Sequence, residues 1–177
     1  MASHLRFINP KTISAPPGYT HVVEATGPGR IVYIAGQLGM DVGGKVVGQA
    51  GDFRAQAIQV YENLKAALAE VGATFKDVVK TTNYLVDLKH LPLLREARGI
   101  YLTGPNPPAS TTIQISGLAR EGALLEIEAI AILPATATKP AKAAAAKTKA
   151  AKPKSTTKKA AKKASRKTAS KKKRNRK

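Results

Sequence analysis

Ala123-Leu124-Leu125-Glu126-Ile127-Glu128-Ala129-Ile130-Ala131-Ile132-Leu133 is the stretch on which the fold turns. A β-strand sends alternate side chains to opposite faces. On that period Leu125, Ile127, Ala129 and Ala131 make a continuous apolar face. Leu124, Glu126, Glu128, Ile130 and Ile132 make a mixed one. The run is too short to span a bilayer and carries two carboxylates, so it reads as a long last strand of a sheet. Its apolar face calls for helices, and its mixed face calls for something else.

Working back from it, Gly117–Gly122 reads as a turn and Ser110–Ser116 as a strand rich in Thr and Ile. The three prolines of 104–109 form a loop. Before them Leu94, Ala97 and Tyr101 give a helix its apolar face, with Pro92 suited to the first turn and Gly104-Pro105 to the end. Val78–Leu85 alternates and is rich in β-branched residues, which predicts a strand. Ile58, Tyr61, Leu64, Leu68 and Val71 recur at the helical period, with Asp52 placed to cap the start and Gly72 the end. Arg54, Glu62, Lys65 and Glu70 fall mostly on the other faces. Further back, Gly39, Gly43, Gly44 and Gly48 predict a loop or a small hairpin around Asp41–Val47. Tyr19–Ala25 and Arg30–Ala35 flank Thr26-Gly27-Pro28-Gly29 and read as a hairpin, and Leu5–Ile8 as a short strand.

The predicted order is β-β-β-α-β-α-β-β, an α+β domain over residues 1–134. Right-handed crossovers place both helices on one face of one sheet. The other face, half apolar, has no helix left to cover it and predicts a homo-oligomer with clefts at the subunit boundary.

Charge divides the chain. Of 30 Lys and Arg and 11 Asp and Glu in 177 residues, residues 1–138 hold 12 basic and all 11 acidic side chains. Residues 139–177 hold 18 basic side chains and no acidic one. The segment 135–177 has no large apolar residue to bury and reads as a disordered Lys/Ala-rich tail. It resembles in composition the arms of linker histones and bacterial histone-like proteins. Lacking aromatics, it offers phosphate attraction rather than base reading. Its densest positions for nucleic acid or another polyanion are Lys158, Lys159, Lys162, Lys163, Arg166, Lys167, Lys171, Lys172, Lys173, Arg174, Arg176 and Lys177. Such binding is non-specific and strongly weakened by salt. A solubilising tail is the plainer reading.

Cysteine is absent, which excludes disulfides, thiolate metal sites and a cysteine nucleophile. His4, His21 and His90 form no ligand pair. No secretory signal or membrane span is read, so a cytoplasmic protein is expected, with nucleoid association as a further expectation from the tail.

Five stretches carry a resemblance. They are Ile34-Ala35-Gly36-Gln37-Leu38-Gly39, Asn63-Leu64-Lys65 with Leu68, Asp77-Val78-Val79-Lys80-Thr81-Thr82, Pro108-Ala109-Ser110-Thr111, and Glu126-Ile127-Glu128-Ala129-Ile130-Ala131. In this order they resemble the RidA/YjgF family, the reactive intermediate deaminases also described as endoribonuclease L-PSP-like. The resemblance implies a chorismate-mutase-like α+β fold and a homotrimer whose sheets enclose a barrel, with a small-molecule ligand in each inter-subunit cleft. It implies hydrolysis of reactive enamines and imines to 2-oxo acids and ammonia, with no cofactor and no metal.

Carried over by position, the resemblance implies Glu126 and Tyr19 as catalytic residues and Gly36, Gln37, Ser110 and Thr112 as substrate-binding residues. The match is incomplete. The usual loop serine is Ala35, a family Asn falls at Lys89, a family Cys at Thr112, and the carboxylate-binding Arg at Ser110. A guanidinium–carboxylate fork is worth roughly 1.5–3 kcal/mol per bond. Ser110 offers one neutral hydroxyl, and Lys89 and Arg120 are the candidate substitutes. Plainer readings stand beside these: Glu126 as an interface charge, Glu128 as structural, Tyr19 as a core aromatic, His21 as structural rather than an acid–base group.

The expectation is a RidA-like hydrolase that adds water to a reactive enamine or imine and releases ammonia, on a substrate other than 2-iminobutanoate. The alternatives are a non-catalytic small-molecule binder on the same trimer and a nucleic-acid-associated protein acting through its tails.

Overall fold

The computed structural model describes residues 4–135. The readings of the tail, including its disorder and its phosphate contacts, lie outside the described residues.

The strands are β1 (Leu5–Ile8), β2 (Val22–Ala25), β3 (Gly29–Leu38), β4 (Val78–Leu85), β5 (Ala109–Gln114) and β6 (Leu125–Pro134), with helices α1 (Phe53–Glu70) and α2 (Leu91–Tyr101). The element order is the predicted one. Four strands form one sheet in the order β3-β6-β4-β5, in which β6 is antiparallel to β3 and β4, and β5 is parallel to β4.

Two expectations are corrected. The strands form two hydrogen-bonded sheets rather than one. The hairpin read across Thr26–Gly29 is not one: β2 pairs with β1, Leu5 opposite Ala25, and β3 pairs with β6. The turn signal is real, since Gly27 has φ +80°. A turn reverses the chain without choosing its partner, and Thr26 N–H donates to His4 O at 2.8 Å, which commits β2 to β1. The small hairpin around Asp41–Val47 is present as a bridge between Met40 and Val46.

Helix α1 begins where Asp52 accepts a hydrogen bond from Ala55 N–H at 2.9 Å, and Gly72 follows its end with φ +78°. Its buried side chains are Phe53, Gln56, Ala57, Val60, Tyr61, Leu64 and Leu68. The predicted stripe included half-buried Ile58 and missed Val60, a small phase error of the period. Helices α1 and α2 lie together: Tyr61 stacks on Tyr101 at 5.0 Å, and Arg54 meets Glu96 at 2.9 Å. Both cover one sheet face, where Leu125, Ile127, Ala129, Ala131 and Leu133 of β6 are buried. Burying a Leu or Ile side chain contributes about 1.5–3 kcal/mol.

The opposite face is left open, as its sequence required. It displays Ile31 and Tyr33 of β3, 58% and 76% exposed, beside Ile130 and Ile132 of β6. Lys80, Thr82 and Tyr84 of β4 and Glu126 and Glu128 of β6 form its polar half. No described helix is long and apolar enough to cross a membrane.

Candidate functional site

The predicted site residues fall into two groups on opposite faces of the four-stranded sheet. On the open face Glu126 is paired in register with Tyr84 and Leu38. Its carboxylate lies over Gly36: a Cβ built there would stand 1.7 Å from Glu126 Oε1. The β3–β6 register shifts between Ile34 and Gln37, so Ala35-Gly36 forms a bulge. A bulge bends the strand and re-aims its groups, and here it cradles the acid. The Gln37 amide donates to Ala35 O at 3.0 Å and so braces the bulge from within.

Around Glu126 the open face holds further charge. Tyr84 Oη donates to Glu128 Oε1 at 3.3 Å. Burial, then the charges of Glu128 and Glu126, raise the Tyr84 phenol above its usual pKa. The Lys80 ammonium donates to Thr111 Oγ1, and burial lowers its pKa while Glu128 opposes the shift. Lys80, Glu128, Thr82 and Tyr33 border a hollow of about 360 Å³.

Ser110 belongs to the helix-covered face. In the parallel β4–β5 register it lies opposite Thr81. Thr81 Oγ1 donates to Ser110 Oγ at 3.1 Å and Asn83 Nδ2 donates at 3.0 Å. A hydroxyl has two acceptor lone pairs and one donor. With both lone pairs engaged, Ser110 has its proton left to give. Asn83 also reaches Thr112 Oγ1 at 3.3 Å, so one buried amide organises both β5 hydroxyls. Asn is uncommon inside a strand rich in β-branched residues, and that was the overlooked signal.

Tyr19 joins the Ser110 group through the backbone. Its neighbour Thr20, 2% exposed, donates from N–H to Pro108 O at 3.1 Å and from Oγ1 to Pro107 O at 2.5 Å. That clamp fixes Tyr19 beside the start of β5. The Tyr19 ring meets His21 edge-on at 5.3 Å, and the His21 Nε2 lies 2.8 Å from Ser14 O. Within the chain, then, Glu126 and Gly36 are brought together, with Gln37 next along β3 but paired with the buried Ile127, and Tyr19, Ser110 and Thr112 are brought together, but Glu126 and Ser110 are not.

Lys89 Nζ is held 2.6 Å from Asp87 Oδ2, and Arg120 lies on the exposed turn before β6. Gln56 of α1, also overlooked, sets that turn. Its amide donates to Gly122 O and accepts from Leu124 N–H, both at 2.9 Å, and so aims the first residues of β6. A concavity of about 550 Å³ between Phe7, Phe75, Tyr101 and the 104–108 loop contains none of the predicted residues. Among the described residues no cluster of three His, Asp or Glu is placed to hold a metal.

A profile of the family described as Endoribonuclease L-PSP matches residues 11–133. The chain is 41% identical over 114 residues to Protein DfrA of Myxococcus xanthus, covering 64% of this chain and 84% of that one. It is 35% identical over 122 residues to the 2-iminobutanoate/2-iminopropanoate deaminase of Rattus norvegicus, covering 68% and 86%. The crystal structure of YyfB of Yersinia pestis, described as a conserved Rid family protein of unknown function, superposes with a TM-score of 0.67 at 37% identity, covering 74% of this chain and all of that one.

Proposed function

From the chain's membership of the endoribonuclease L-PSP family, the RidA/YjgF proteins, we propose that it hydrolyses reactive enamines or imines at a cleft between two copies of itself. The observation that carries this reading is the Glu126 carboxylate seated over the Gly36 bulge, a base beside a backbone loop. An imine carbon is already electrophilic. Glu126 takes a proton from water as the water oxygen bonds to the carbon of the protonated imine, giving a carbinolamine. Glu126 then returns that proton to the nitrogen, the C–N bond breaks with its electron pair going to nitrogen, ammonia leaves, and loss of the hydroxyl proton to the Glu126 carboxylate or to water leaves a carbonyl. General-base assistance of this kind is worth about 10²–10⁴ in rate.

Opposite faces explain why a second copy enters. Glu126 on the open face meets Tyr19, Ser110 and Thr112 only if these come from a neighbour. The half-apolar open face is the surface a homotrimer would cover. The substrate differs from 2-iminobutanoate in how it is anchored, because position 110 supplies a hydroxyl rather than a guanidinium. That same substitution favours the second reading, a binder on the same scaffold that holds its ligand without turning it over.

The test is ammonia release from freshly generated 2-iminopropanoate. Wild type accelerates it, and Glu126→Gln lowers the rate by about 10² or more without changing the oligomer. Equal rates in the two proteins defeat the proposal. No rate in either, with gain in Ser110→Arg, moves the reading to the binder.

The tail is proposed to add non-specific nucleic-acid binding. Three tails on a trimer gain avidity. DNA affinity of the full chain is expected to fall by about 10³–10⁵ between 50 and 200 mM salt if six to ten phosphates are neutralised. A chain ending at Pro134 should bind at no salt concentration, and retained binding would exclude the tail as its source.

A further inference from the structure

We propose that the hollow between β1, the turn at 74–77 and the loop at 104–108 binds a small aromatic carboxylate. The hollow measures about 550 Å³ and shares no residue with the Glu126 or Ser110 groups. That volume falls inside the range of small-molecule sites. Leu5 and Phe7, two residues apart on β1 and so on one face of it, form one wall. Phe75 and Tyr101 form the second, their rings tilted by 60° with centroids 5.7 Å apart. Pro105, Pro107 and Pro108 form the third. Each wall is braced from elsewhere. Leu5 is paired with Ala25 of β2. Thr74 N–H and Oγ1 both donate to Asp77 Oδ2, at 2.8 and 3.0 Å, which fixes the turn. Tyr101 stacks on Tyr61 and donates to Glu62 Oε1 at 2.8 Å. Thr20 ties down the carbonyls of Pro107 and Pro108. A hollow whose walls are set before a ligand arrives loses little ordering entropy on binding.

The lining sets the chemistry of the ligand. Rings and prolines favour a flat apolar body. Lys76 is the charged side chain that borders the hollow, and no acidic one does. Its chain neighbour Asp77 is engaged within the turn, and Glu62 is engaged by Tyr101 and Lys65. Among the described residues Lys76 enters no ion pair, whereas Arg6, Arg54, Lys65 and Lys89 are each matched with an acid. A single ammonium is a point charge. It suits one carboxylate better than a phosphate, which calls for several donors at once. Because Lys76 is exposed, an ion pair there adds little affinity: the rings hold the ligand and the charge selects it. Exposed Thr103 and Asn106 add neutral hydrogen-bonding groups. The same charge argues against the chain's own basic segment as the occupant, since residues 139–177 hold 18 basic side chains and no acidic one.

2-Naphthoate is the probe, with 2-naphthamide as its neutral counterpart. Each is titrated by fluorescence into the full-length protein and its Lys76→Glu, Thr103→Trp and Glu126→Gln variants. Wild type is expected to bind one 2-naphthoate per chain with a Kd on the order of 0.1 mM. Lys76→Glu should weaken 2-naphthoate by about three- to tenfold and leave 2-naphthamide within about twofold of wild type. Thr103→Trp carries an indole into the hollow from an exposed position and should weaken both probes by about tenfold or more. Glu126→Gln should change neither. Wild type without saturable binding overturns the proposal, and so does equal 2-naphthoate affinity in wild type and Lys76→Glu. Binding lost in Glu126→Gln but kept in Thr103→Trp puts the probe in the inter-subunit cleft and overturns it as well. Should Thr103→Trp fail to fold, the two titrations of Lys76→Glu decide alone.

Discussion

Two glycines three residues apart separate function from stability. At Gly36 an added Cβ meets the Glu126 side chain, and at Gly39 it meets the α1 backbone, 2.7 Å from Gln56 Cα and 2.8 Å from its carbonyl oxygen. The first obstacle can rotate away and the second cannot. Gly36→Ala should therefore lower imine hydrolysis by about tenfold or more, at a small cost in stability, because it displaces the carboxylate. Gly39→Ala should cost about 1–3 kcal/mol, the range for overpacking, by pushing α1 off the sheet. Urea unfolding and an ammonia assay on both variants check this; equal stability losses would sink it. At this scale the sequence was legible where the signal is local. The Ser110 substitution is visible inside Pro108-Ala109-Ser110-Thr111, and Glu126 inside its strand period. The docking of Thr20 on Pro107 was not visible, because the two are 87 residues apart in the chain.

Helices α1 and α2 are joined by a polar link as well as by stacked rings. Tyr101 Oη donates to Glu62 Oε1 at 2.8 Å, and burial together with this bond raises the Tyr101 phenol to about 12. The same hydrogen bond, helped by Lys65, depresses the Glu62 carboxyl below its usual value. A depressed acid adds stability that is present above its unfolded pKa and is lost as pH falls through the folded one. Tyr101→Phe should thus lower the melting temperature at neutral pH and flatten its fall on acidification; thermal scans from about pH 6 to about pH 3 span that window. A variant whose acid limb runs parallel to that of wild type would disprove the link. The elements themselves were readable because each has a period and a stop: Asp52 and Gly72 bound α1, and strict alternation marks β4 and β6. What failed was the assignment of β2 to β3. Partner choice among strands depends on which distant ladder is longer, and the ten-residue β6 outcompetes four-residue β2 for β3.

Across the described residues the four-stranded sheet has one dry face and one open face, and Glu126 and Ser110 sit on different sides of it. Alternation announced the open face from the sequence alone. It could not announce that β5, parallel to β4 at the sheet edge, turns Ser110 and Thr112 away from Glu126. That separation has a genetic consequence. If each working cleft borrows one half from each of two neighbours, a protein crippled at Glu126 and another crippled at the β5 edge should rescue one another when unfolded and refolded together. Random co-assembly of equal amounts would leave about one cleft in four with both halves sound, whereas either mutant alone would have none. Two defective alleles in one cell would then restore what neither provides, and a mixture as inert as its parents would mean that each chain works by itself.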